Sequence, residues 1–234
     1  MIVTPVKTRI FQEGENLFDF LIEHLKKIRE DSIIVITSKI VSLAEKRTAV
    51  IRSARTKDEI IKNESQWAIK TKFVWLTIKD GMIMPSAGVD ESNAKGKLIL
   101  LPKDSYKTAD LIRKKLIRHF KVKRLGILIT DSRTMPLRAG VNGVSLGYAG
   151  FKGLRDYRGK RDIFGRKFHY SRLNMADTLA SAAIAVMGEG AERQPLAIIE
   201  GAPLQFTNNI NRQELRIDMR DDMYKPLFKK LPSK

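Results

Sequence analysis

The residues with chemistry to offer fall in a few short stretches. In Leu128-Ile129-Thr130-Asp131-Ser132-Arg133-Thr134-Met135-Pro136-Leu137-Arg138-Ala139-Gly140, an apolar run stops on a carboxylate and a hydroxyl. Two arginines follow, and then glycines at 140, 143, 147 and 150. Hard oxygen ligands beside phosphate-binding cations and pliable backbone are the parts of a metal–nucleotide site. An Asx-type turn closing a strand uses the same Asp-Ser pair, and both readings stand at this point. Ser38-Lys39 ends a second apolar run, where a lysine and a hydroxyl at a strand-to-helix junction can meet a phosphate. A capping serine beside a solvent lysine reads equally well there. Ser86-Ala87-Gly88-Val89-Asp90-Glu91-Ser92-Asn93 leads small residues into acids and an amide, so that Asp90 and Asn93 face one site or simply make a turn. Met187-Gly188-Glu189-Gly190 sets one carboxylate between glycines at a helix end.

These stretches need elements to hold them. Residues 125–129 read as a strand apolar on both faces, which requires cover on both sides and an end at a sheet edge, where ligand-binding side chains of α/β proteins gather. Residues 1–6 and 33–37 read as further strands. Leu17, Leu21, Leu25 and Ile28 recur at helical spacing, with His24 a satisfied or solvated histidine rather than a ligand. Helices are predicted over 57–72, 106–120 and 175–187, with strands over 73–78 and 82–85 around the turn Asp80-Gly81, and over 97–101, 141–148 and 196–200. Residues 149–168 read as a ligand-ordered loop, 213–217 as a strand and 221–230 as a short basic helix. No repeat, low-complexity run or linker interrupts the chain. The pattern predicts an α+β or mixed α/β fold, with mixed or antiparallel sheets covered by helices in a single compact unit.

Composition narrows the chemistry. With 43% hydrophobic residues among 234, the chain can bury a real core, and no window reaches the roughly 18 apolar residues that a membrane span needs. The start lacks the apolar core of a signal peptide, so a cytoplasmic location is expected. Without cysteine, any metal falls to oxygen ligands or the three histidines, which favours magnesium or manganese. The formal charge of +18, from 44 Lys and Arg against 26 Asp and Glu, sets up a field that attracts polyanions: a nucleic acid or an anionic small substrate. There is no Walker A loop and no dinucleotide-binding glycine fingerprint.

Taken together, the motifs resemble one family. Thr37-Ser38-Lys39-Ile40-Val41-Ser42 with Ala44-Glu45 and Arg47, Ala87 to Asn93, and Ile129-Thr130-Asp131-Ser132 are similar to segments of the coenzyme F-420-0:L-glutamate ligases. So are Pro136 with Arg138 and Gly140, the Gly147 and Ala149-Gly150 pair, Asp156-Arg158-Gly159 with Asp162 and Gly165-Arg166, Ala176-Asp177 and Val186-Met187-Gly188. The matches run in family order over residues 8 to 201. This divides the chain into a ligase-like core at 1–201 and a C-terminal extension at 202–234 of unknown role. The chain departs from the family pattern at Leu43, where a second lysine is usual, at Thr8-Arg9-Ile10-Phe11 and at Gly140 to Gly143.

The resemblance implies a GTP-dependent ligase that activates a substrate carboxylate as an acyl phosphate and joins it to the amine of L-glutamate. It implies that Asp90 and Asp131 hold one divalent ion, magnesium or manganese, and Ser132 with Glu189 a second, with a monovalent cation as a further candidate. Thr8, Arg9, Ile10, Phe11, Ser38, Lys39, Asn93, Met187, Gly188, Glu189 and Gly190 would surround the nucleotide. Asp131 and Lys39 would act catalytically, and Arg133 and Arg138 would meet the substrate. An intertwined homodimer is implied as well. The acceptor is coenzyme F-420-0 or a folate-like anion. Two other readings are carried alongside: a basic RNA- or DNA-binding module, and a catalytically silent scaffold.

Overall fold

Ile2–Val6 (β1) opens the chain as a strand in a computed structural model that describes residues 1–51 and 53–228. Asn16 then caps Leu17–His24 (α1) by accepting from the Phe18 and Asp19 amides. This helix stops at His24, short of the predicted 28, although Leu25 and Ile28 are buried as their spacing foretold. Periodicity marked the buried face and not the helix end. Ser32–Thr37 (β2) is buried on both faces until its last residue, and Ser38–Ala44 (α2) follows directly.

The chain next builds a separate unit. Thr48–Val50 (β3), Ala54–Asn63 (α3), Trp67–Lys70 (β4), Trp75–Lys79 (β5), Met82–Pro85 (β6) and Lys97–Ile99 (β7) form a two-stranded sheet, β3-β7, and a three-stranded antiparallel sheet, β4-β5-β6. The predicted helix over 57–72 is corrected here. Capped by Ser53, it begins three residues earlier, at Ala54, it ends at Asn63, and Trp67 to Lys70 pair with β5, where an aromatic and a branched residue suit the pleated surface.

Ser105–Phe120 (α4) returns to the first unit, followed by Leu125–Thr134 (β8), Val141–Ala149 (β9), Leu154–Asp156 (β10), Arg172–Asn174 (β11), Met175–Met187 (α5) and Leu196–Glu200 (β12). The main sheet has the order β1-β12-β2-β8-β9; only β2 and β8 run parallel. The predicted loop over 149–168 is largely irregular, although β10 pairs with β11 around it.

Contacts divide the chain into one unit of residues 1–46 and 102–214 and another of 47–101 and 215–234, which replaces the expected single unit. The mixed α/β class, with five α-helices and several sheets among the described residues, is as expected. Residues 202–214 are tied to the first unit: Phe206 bridges Phe151, Arg212 pairs with Asp104 at 2.8 Å, and Glu214 accepts from the Tyr148 hydroxyl and the Gly153 amide. Burial, reinforced by Glu214, pushes the Tyr148 hydroxyl far above its usual range. No strand forms over 213–217: Gln213 to Leu215 turn, and Arg216 and Ile217 are irregular. The predicted helix over 221–230 is a 3-10 turn at Lys225–Phe228, and its last residues, Lys229 and Lys230, lie outside the described residues. Among the described residues no helix is long and apolar enough to cross a membrane.

Candidate functional site

The main sheet brings most of the singled-out residues to one edge. β2 pairs with β8 only as far as Thr37 opposite Thr130, so Asp131 is the first residue of β8 beyond the parallel pair, and Ser38 is the first residue of α2. Ser38 is not the cap of α2; Thr37 holds that place. The Ser38 hydroxyl donates to Asp131 Oδ1 at 3.2 Å instead. At the same edge β12 begins, with the Thr37 amide donating to the Pro195 carbonyl, and β1 ends, with the Thr8 amide donating to the Arg193 carbonyl. Thr8, Ser38 and Asp131 therefore meet at one rim, and Ser132 brings Glu189 to it.

Two helices cover opposite faces there. A Cβ at Gly143 would lie 2.4 Å from the Ala180 backbone of α5, and one at Gly147 would lie 2.6 Å from the Ser105–Tyr106 backbone of α4. Residues four apart in a strand share a face, but the ladder shifts register between Ile129 and Thr130, which turns β9 over in between. Gly143 lies opposite Ser132 and Val144 opposite Asp131. Ser132 accordingly points to the α5 side, where its hydroxyl donates to Glu189 Oε2 at 3.1 Å, and Asp131 points to the α2 side. The strand presents its carboxylate and its hydroxyl on two sides of one rim.

Arg133 is buried at 5% exposure with a guanidinium nitrogen 3.5 Å from Asp131 Oδ2, so it holds the carboxylate in place from within the protein. Arg138 lies at the exposed tip of the β8–β9 hairpin, its amide donating to the Met135 carbonyl at 3.2 Å. Arg9 is committed to Glu15 and Glu23, and Phe11 is buried edge-on against Phe20. His24 donates from Nδ1 to the Phe20 carbonyl and accepts the Arg9 amide at Nε2, the satisfied histidine expected. Asp90 and Asn93 belong to the second unit. The Asp90 carboxylate accepts from the Ser92 amide and hydroxyl at 2.7 and 2.8 Å while its backbone pairs with Ile99, so the turn reading describes its local geometry. Asn93 takes a left-handed backbone, φ 55°.

Residues that sequence reasoning left unassigned shape the same rim. Glu192 accepts from the Gly190 amide at 2.8 Å and closes the turn that carries Glu189. Asp177, in the first turn of α5, accepts from the Ser145 amide at 2.8 Å and from the Asn174 side chain at 2.7 Å; burial raises its pKa, against the pull of those two donors and of Arg133. The Asn-x-x-Asp spacing is a cap signature readable in the sequence, while the reach to β9 is not.

Among the described residues no group of three or more His, Cys, Asp or Glu side chains gathers to hold a metal. The donors nevertheless fit a small hard cation. Ser132 Oγ and Glu189 Oε2, 3.1 Å apart, have the separation of adjacent ligands around an ion with bonds of about 2.1 Å. Magnesium commonly takes one or two protein oxygens and completes its shell with water and phosphate. Oxygen donors and hydroxyls thus meet on the rim of a mixed sheet.

Residues 5–201 match the F420-0:Gamma-glutamyl ligase family, and the chain belongs to that family, which makes it a ligase. It is 34% identical to the Coenzyme F420:L-glutamate ligase of Methanocaldococcus jannaschii over 92% of this chain and 93% of that protein. Its identity to the protein of the same name from Methanococcus maripaludis is 33%, over 81% and 83%. With the Methanopyrus kandleri protein of that name it is 32%, over 84% of each.

Proposed function

We propose that the protein joins L-glutamate to coenzyme F420-0 at the expense of GTP, with Asp131 and Glu189 at the reacting centre. The observation that carries this reading is the Asp131-Ser132 pair, which lies beyond the parallel strands with Ser38 on one side and Glu189 on the other. In the proposed first step an acceptor carboxylate oxygen bonds to the γ-phosphorus of GTP and GDP leaves. In the second, the glutamate amine bonds to the acyl carbon and loses a proton while phosphate departs with one former carboxylate oxygen.

Asp131, and Ser132 with Glu189, would hold divalent magnesium or manganese, which when bound neutralises phosphate charge. Ser38 orients Asp131, and Lys39, the next residue of α2, supplies a point charge to the phosphates. The 8–11 segment and the 187–190 turn would surround the nucleotide. The excess of positive charge favours an anionic acceptor, either the deazaflavin or a folate-like molecule, and the names of the relatives favour the first. Within the arm closed by β10 and β11, Arg158 is paired with Asp156 and Arg161 donates to the Gly165 carbonyl, which leaves Arg166 and the hairpin-tip Arg138 as the better candidates to meet it. A homodimer would bury the exposed Ile217, Met223 and Leu227.

The test uses acceptor labelled with ¹⁸O in its carboxylate, incubated with GTP, manganese and L-glutamate. Transfer of one label per turnover to the released phosphate is the expected result. Label retained wholly in the product would exclude the acyl phosphate.

A further inference from the structure

We propose that the outward face of the β4-β5-β6 sheet is where two copies of this chain meet. The inference rests on the homodimer reading above and assigns its face. Its starting point is the register of the three strands. Ile69 lies opposite Leu76 and Leu76 opposite Pro85, while Trp67 lies opposite Ile78 and Ile78 opposite Ile83. Partners across a ladder share a face, as do residues two apart in one strand, so these six side chains form one surface. Thr77 and Met84 point the other way and are fully buried, and Trp75 on that inner side donates to Asp58 of α3 at 2.7 Å. An antiparallel sheet covered on one face ordinarily turns polar residues to water on the other. Here none of the six outward residues carries a charge, and Ile69, Leu76 and Ile83 remain 39%, 39% and 45% exposed.

Charge selects the occupant. The chain carries a net +18, and a polyanion drawn by that charge finds no cation on this face to hold it. Two copies of so basic a chain repel each other wherever their cations meet. Contact through the uncharged face brings no like charges together, and the surface that matches it in a second copy is the same face. Sheets pack face to face about 10 Å apart with interdigitating side chains, and a two-fold axis through this face sets it against itself. Three short strands offer only on the order of a few hundred Å², where a standard interface buries about 800 Å² per partner. The exposed Phe73 and Val74 of the β4–β5 turn enlarge the patch. The tail does so too: a Cβ at Gly81 in the β5–β6 turn would lie 3.9 Å from Arg216 Nε, which brings the adjoining exposed Ile217 to this sheet. A dimer of micromolar strength is expected.

The experiment is sedimentation equilibrium of the purified full chain over a range of concentrations. Leu76→Lys, on the central strand, puts an unpaired charge into the contact from both sides of the two-fold axis and is expected to weaken association about a hundredfold or more. Leu111→Lys replaces an exposed leucine of α4 and is expected to leave association unchanged. A dimer that survives Leu76→Lys, or one that Leu111→Lys dissociates as strongly, would overturn this face while leaving the homodimer reading intact. An unaltered chain that stays monomeric up to about 100 μM would refute the homodimer reading, and this inference with it. Should circular dichroism show that Leu76→Lys does not fold, cross-linking decides. The chain has no cysteine, so Leu76→Cys supplies its single thiol, and a short bis-maleimide is expected to join two copies. A yield of cross-linked dimer no higher than from Leu111→Cys would overturn the proposal.

Discussion

Asp131 in the first unit and Glu64 in the second are both partly buried carboxylates, and their surroundings differ in kind. Glu64 accepts from Arg47 and Lys79 at 2.7 Å each. Burial alone would raise its pKa, but the two hydrogen-bonded cations outweigh it and hold Glu64 below its usual range. Asp131 meets a serine hydroxyl at 3.2 Å and a guanidinium at a looser 3.5 Å, on the rim of a sheet. A carboxylate gripped by two close cations has its charge consumed in holding structure. One that meets a hydroxyl and a more distant cation on a sheet rim is the better candidate to turn its charge toward a ligand.

The largest effect that tests this contrast is on turnover. Asp131→Asn keeps the shape and removes the charge, so glutamate-dependent turnover should fall by about a hundredfold or more while the melting temperature stays within a degree or two. Wild-type turnover with unchanged metal dependence would place Asp131 with Glu64 as a structural carboxylate.

Gly143→Ala probes the scaffold beneath the rim, since its new methyl group would meet the α5 backbone at 2.4 Å. A loss of about 3 kcal/mol in denaturant unfolding is expected, with weaker manganese binding as the Ser132–Glu189 contact is displaced. Stability unchanged by the methyl group would show that α5 does not press on β9 as described.

Glu64→Gln should cost about 2 kcal/mol of stability at pH 7, because Arg47 and Lys79 lose their shared counter-charge. A group whose folded pKa is depressed contributes stability that is fully present above its ordinary value near 4.5 and is lost as pH falls through the folded value. The difference between wild type and variant should therefore shrink toward pH 3. A gap that widens in acid would contradict the assigned roles. The smallest effect is expected from Asp218→Asn: Arg220 holds that carboxyl down to about 2, yet both groups are exposed, and the unfolding midpoint should not move measurably.

How much of this was legible in the sequence depended on the range of the forces involved. The helix over 175–187 and the strand over 125–129 follow from periodicity and appear as predicted. The continuation of β8 through Ser132 and Arg133 to Thr134 was not legible, because polar residues paired only with β9 carry no apolar alternation. Trp67 to Lys70 continue a helical pattern locally and are claimed by pairing with β5, a tertiary choice. Asp131, Ser132, Ser38 and Glu189 were recognisable as types and motifs, and their convergence on one rim required the strand order. The Asp177 anchor spans 32 residues in sequence and is visible only once α5 lies against β9.

The most direct measurement is GDP release by the purified chain supplied with GTP, manganese, L-glutamate and coenzyme F420-0. Equal amounts of GDP and glutamylated product, appearing only when all four are present, are the expected result. GDP release that ignores glutamate, or no turnover with this acceptor or a folate-like one, would contradict the proposed ligation.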